Sequence, residues 1–171
     1  LLVGLVIIIV LLVTRLLTII EIPGRPEVNA LTGYLAPVAA GSMLITILLD
    51  SRLAYFITMI MALYIGLLTS GSQLSFVIVA FVGGTVGIYR VSRLSQTSDL
   101  AKSGLYIAGV NIATIVVLSL IGGNTTTTMM VTGILLGAIS GILSAILMIG
   151  VLPYLETGFS ITSMIKLLEL S

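Results

Sequence analysis

The sequence contains no cysteine and no histidine, and only 8% of its 171 residues are charged. Each shortage removes a class of function. Without cysteine there is no disulfide framework, no thiolate nucleophile and no thiolate-held zinc or iron–sulfur cluster. Without histidine the commonest metal ligand, the usual axial haem ligand and the usual general base are gone together. The scarcity of charge decides the solvent. A soluble domain carries roughly 25% charged residues because its surface must face water. Here 58% of residues are hydrophobic and the mean hydropathy is +1.32, so lipid is the natural solvent of this surface. The net charge of +1 excludes a basic footprint for nucleic acid, which needs clustered Lys and Arg.

What is abundant is long apolar runs. A helix crosses the hydrocarbon core with about 20 apolar residues, within a range of roughly 17–25. Six stretches are close to this: 1–20, 34–49, 53–69, 74–89, 104–122 and 129–152, the last ended by Pro153. Each must be helical, because unpaired backbone groups in lipid cost several kcal/mol apiece. Asp50-Ser51-Arg52 joins the second and third spans as a tight hairpin. Pro23, Gly24 and Pro26 make 21–33 a turn-rich loop rather than a helix. The short connections make consecutive helices neighbours. The expectation is an all-α polytopic bundle of six antiparallel spans over 1–153, followed by a juxtamembrane linker over 154–171.

With six alternating spans, Arg52, Arg90, Arg93, Lys102 and Lys166 fall on one side, and Arg25, with Arg15 near it, on the other. Lys and Arg concentrate on the cytoplasmic side, so both termini are expected in the cytoplasm. The chain starts with Leu1 rather than Met, which reads as processing or as a piece of something longer. A signal peptide is the weaker reading, since 1–20 lacks a basic leading segment and a small-residue cleavage site.

No residue stands out as catalytic, cofactor-binding or metal-ligating. Arg15 is the one full charge well inside a span; within about two turns of its helix end, it is expected to snorkel to the interface near Glu21. Arg15, Asp50, Arg52, Asn111 and Glu156 are the candidates for polar or charged coupling through the bundle. Asn111 is expected to hydrogen-bond a neighbouring helix. Gly133, Gly137 and Gly141, continued by Ala145, recur every four residues and present one small face to a close partner, within the bundle or on a second copy. Gly83, Gly84 and Gly87 similarly allow close packing or a bend. A phosphate-loop reading of these three fails, because they sit mid-span with no basic residue in reach. In the tail, Ile161, Met164, Ile165 and Leu168 share one helical face opposite Ser163 and Lys166, an amphipathic helix just inside the membrane. Its end at Leu168-Glu169-Leu170-Ser171, without cap or breaker, reads as a cut ahead of a further domain.

Several of these segments resemble the seven-transmembrane HD-domain phosphohydrolases, bacterial cyclic di-AMP phosphodiesterases. The likeness runs from about 34 to 171. Ala40-Gly41-Ser42-Met43-Leu44 with Leu48-Leu49-Asp50-Ser51-Arg52-Leu53-Ala54 is similar to the family's second and third bundle helices. Phe81-Val82-Gly83-Gly84-Thr85-Val86-Gly87-Ile88-Tyr89 resembles its glycine-rich helix, and Thr97-Ser98-Asp99-Leu100 its cytoplasmic loop. Most specific are Leu152-Pro153-Tyr154-Leu155-Glu156, Phe159, Ile161-Thr162 and the closing Leu167-Leu168-Glu169-Leu170-Ser171. The resemblance implies an extracellular sensor domain and a further helix before the bundle. After it would come a cytoplasmic HD domain that holds a divalent metal and hydrolyses the cyclic dinucleotide. It carries no catalytic residue onto this chain, whose role would be anchor and signal relay in the bacterial cell membrane. From the residues alone, a small transporter or channel subunit and a structural subunit of a membrane complex are the alternatives. The first lacks a polar route and the inverted repeat that many transporters show.

Overall fold

A computed structural model describes residues 1–69, 73–93, 98–123 and 126–158. The expected amphipathic helix of the tail lies outside them. The described elements, in order, are α1 (Leu2–Ile19), α2 (Pro26–Ala30), a 3-10 turn (Thr32–Leu35), α3 (Val38–Leu48), α4 (Ser51–Leu68), α5 (Gln73–Val91), α6 (Ser98–Gly122) and α7 (Thr127–Gly158). All are helical, as the cost of unpaired backbone in lipid demands. Five of them (α1, α4, α5, α6 and α7) are long and apolar enough to cross a membrane.

The stretch expected as one span over 34–49 is instead interrupted. A 3-10 turn ends at Leu35, Ala36-Pro37 breaks the helix, and α3 runs for only 11 residues. Pro37 has no N–H and disfavours helical geometry in the residue before it, which places the break there. The turn and α3 together rise about 25 Å. This segment is the centre of the bundle: every residue of α3 except Thr46 is buried. It packs against α4, α5, α7 and α1. A helix apolar on all sides belongs inside, and α3 is inside.

α1 is the opposite case. Only Leu2, Val6, Val10 and Thr14 are buried, a stripe at four-residue spacing, and it rests on α3 and the 3-10 turn. Its other faces are lined with exposed Leu and Ile that suit lipid.

Two further expectations are corrected. The loop 21–33 holds one helical turn, α2, started by Pro26, whose fixed φ is already helical. Asn29 clamps that turn to the chain entering it: Oδ1 accepts from the Ile22 N–H at 2.9 Å, and Nδ2 donates to the Ile22 carbonyl at 3.2 Å. The second correction is at Pro153, which does not end α7; the helix runs on to Gly158. Proline frees the carbonyl four residues back, at Ile149. Ile149, Gly150 and Pro153 all lie on the exposed side, so that carbonyl is not trapped in the packed interior.

Candidate coupling site at the centre of the bundle

The buried polar groups sit where helices meet. Ser42 of α3 and Thr58 of α4 are both fully buried and share a short hydroxyl–hydroxyl hydrogen bond. Each hydroxyl also lies within bonding distance of its own helix, Ser42 of the Val38 carbonyl at 3.0 Å and Thr58 of the Ala54 carbonyl at 2.7 Å. Two protons thus serve three contacts, so one hydroxyl donates across the helices while the other donates backward. Gly84 of α5 faces both; a Cβ there would come within 2.5 Å of Thr58 Cγ2 and 2.8 Å of Ser42 Oγ. The three helices meet at this point because α5 has no side chain there. A double-mutant cycle with Ser42→Ala and Thr58→Val is expected to give a coupling of about 0.6 kcal/mol, the typical value for such bonds in a membrane. Thermal unfolding in detergent measures it, and strictly additive losses would contradict the shared bond.

A second polar point joins α5, α6, α7 and the break before α3. Asn111, buried on α6, donates from Nδ2 to the Gly137 carbonyl of α7 at 3.0 Å. Its Oδ1 has no hydrogen-bond partner among the described residues and faces Gly83, where a Cβ would lie 2.6 Å away. One turn along α7, buried Ser140 donates to the Ala36 carbonyl at 3.1 Å, tying α7 to the Ala36-Pro37 break. These groups line a cavity the size of a single water molecule, about 10 Å³.

Between these points the glycines make close backbone seams. Gly141 lies against the Ala108 backbone, and a Cβ there would be 2.4 Å from its nitrogen. Gly137 meets Ile115 and Asn111; Gly133 meets Ile115 and Tyr34. Gly87 meets Met43 and Ile107. All six glycines singled out in the sequence therefore face neighbouring helices of the same chain. The residue numbers run in opposite directions along α6 and α7, so these two helices are antiparallel.

The charged candidates lie elsewhere. Arg15 is exposed and shares a polar cleft with Thr18, Glu21 and Asn29. Its distance from Glu21 is too long for an ion pair, the one such pair among the described residues being Lys102–Asp99. Asp50 and Arg52 are exposed at the α3–α4 hairpin, where Asp50 caps α4 by position without a side-chain bond. Glu156 is half-buried near the end of α7. The structure brings together Asn111 and the glycines, not the charges. Sequence reasoning missed Ser42, Thr58, Ser140 and the partner row Gly104 and Ala108 on α6. That row was visible, since Gly104-x-x-x-Ala108 repeats the spacing found on α7.

This arrangement can hold helices in register but offers no acid–base or nucleophilic pair. Nor does it suit a metal: the sequence has no His or Cys, and no group of three carboxylates gathers among the described residues. Comparison with known proteins supplies the context. The family described as 7TM receptor with intracellular HD hydrolase matches residues 1–163. The chain belongs to this family. It is also similar to the cyclic-di-AMP phosphodiesterase PgpH of Bacillus subtilis (strain 168), 32% identical over 170 residues. That alignment covers 94% of this chain and 24% of the relative, so the chain spans about a quarter of that protein's length. No solved structure matches. Family membership accounts for the apolar helices: this is a multi-pass membrane protein region.

Proposed function

We propose that this bundle is the membrane region of a cyclic di-AMP phosphodiesterase, anchoring the enzyme and relaying a signal from an extracellular sensor to a cytoplasmic HD hydrolase. The observation that carries this reading is the family match over nearly the whole chain, joined by the similarity to PgpH. The divalent metal of the hydrolase would belong to the HD domain. In this reading the 3-10 turn and α3 together form a short sixth crossing, shielded from lipid by its neighbours, which also cover its broken backbone. Six crossings return the chain to the side where it began, and the basic hairpins then face the cytoplasm. The end of α7 leads toward the hydrolase there.

A relay needs two packings that the sensor's ligand binds unequally, since equal binding shifts no population. α3 suits that task. The lipid-facing α1 reaches the rest of the bundle mainly through α3 and the turn before it, while α3 shares one hydroxyl–hydroxyl bond with α4 and packs on the glycines of α5. Moving α1 therefore moves the element on which α4, α5 and α7 converge. The test is hydrolysis of cyclic di-AMP by membranes carrying the complete gene product. Hydrolysis that responds to substitutions in this bundle is expected; a complete product without cyclic di-AMP hydrolysis would overturn the reading.

A further inference from the structure

The basic end of α5 and α6 carries features that the relay does not use. The Arg90 guanidinium stacks 3.9 Å above the ring of Tyr106, and its Nε has no hydrogen-bond partner among the described residues. One turn further, Arg93 lies over Tyr89 at 4.7 Å. Lys102 is 70% exposed and reaches Asp99 only at 3.7 Å, a loose pair on a surface where such pairs are weak. From Lys102, a shallow, wide-open cleft runs along the exposed face of α6, lined by Leu105, Tyr106, Gly109 and Val110 of that one helix.

We propose that this cleft binds one anionic glycerophospholipid, its phosphate held by Lys102 and Arg90 and an acyl chain lying along α6. Three observations converge on that occupant. The polar end is basic: it carries Arg90, Arg93 and Lys102, with Asp99 at 3.7 Å from Lys102, and a phosphate suits the stacked guanidinium. The length fits too. From Lys102 to Val110 the helix rises about 12 Å, close to the ~15 Å of one leaflet's hydrocarbon. Gly109 forms the floor, and a Cβ there would meet no protein atom within 4 Å. Unlike the seam glycines, it is not required by packing within the chain. Its missing side chain keeps the cleft open.

The test is native mass spectrometry of the full chain released from micelles containing equal phosphatidylglycerol and phosphatidylcholine. Phosphatidylglycerol is expected to be retained preferentially. Lys102→Gln should weaken that preference about fivefold, the effect of one basic residue at an anionic surface. Gly109→Leu should cover the cleft and abolish retention without lowering the melting temperature, since a Cβ there meets no protein atom within 4 Å and glycine is the weaker helix former. Equal retention of the two lipids, or a preference that neither substitution moves, would overturn the proposal. So would a dimer that Gly109→Leu dissolves, which would make the occupant a second copy of the chain.

Discussion

Gly141→Ala is expected to be the most damaging methyl group that can be added to this bundle. Its Cβ would lie 2.4 Å from the Ala108 nitrogen and 2.6 Å from the Ala108 Cα. Both are backbone atoms of α6, which no rotamer change can move aside. The helices must separate, and overpacking of this kind costs about 1–3 kcal/mol. In lipid the loss is felt fully, because packing rather than the hydrophobic effect holds transmembrane helices together. Gly141→Leu is expected to prevent α6 and α7 from docking at all. Gly150→Ala, nine positions along the same helix, is the control, since its Cβ meets nothing within 4 Å. Thermal unfolding in detergent should show a lowered midpoint for the first substitution and an equal or slightly raised one for the control. Equal midpoints for both would mean that the α6–α7 seam is not as close as described.

Gly41→Leu should have the second-largest consequence, and a more selective one. Gly41 is where α1 touches α3: a Cβ there would lie 2.9 Å from Val10 Cγ2 and 3.1 Å from Met61 Cε. These are side-chain ends, so the bundle can yield, and the element with least to hold it is α1. Its buried contacts are one stripe of four residues, whereas α3 is enclosed on all sides. The substitution is expected to push α1 outward by several Å while α3–α7 stay folded. Because the chain has no cysteine, Leu12→Cys and Phe56→Cys provide unique spin-label sites on exposed positions of α1 and α4. The distance between them should lengthen in the Gly41→Leu background. If the bundle relays a signal as proposed, the same substitution should leave basal hydrolysis of cyclic di-AMP in place and remove its regulation. An unchanged distance would separate α1 from any role in the relay.

How much of this was legible in the residues depends on whether the signal lies within one helix or between two. The apolar runs of α1, α4, α5, α6 and α7 exceed what a soluble helix needs, so composition alone marks them. The four-residue row Gly133, Gly137 and Gly141 marks a close face, because helical periodicity places those positions in line. Its partner row at Gly104 and Ala108 carried the same signal. The Ser42–Thr58 bond carried none: the residues are 16 positions apart on separate helices, and nothing in either helix names the other. The break at Ala36-Pro37 was signalled by Pro37 but hidden by the apolar run on both sides of it. Pro153 misled in the other direction. Proline usually stops a helix by orphaning a carbonyl and by steric clash. On the exposed side of α7 that carbonyl is not buried, and the helix continues.

Whether the 3-10 turn and α3 cross the membrane decides on which side every later helix end lies. Single cysteines at Arg25 and Thr157, labelled with a membrane-impermeant maleimide in intact cells and in inverted vesicles, test this directly. With six crossings, Arg25→Cys is labelled only from outside the cell and Thr157→Cys only from the cytoplasmic face. Labelling of both positions from the same side would mean that α3 does not cross, and the end of α7 would then point away from any cytoplasmic hydrolase.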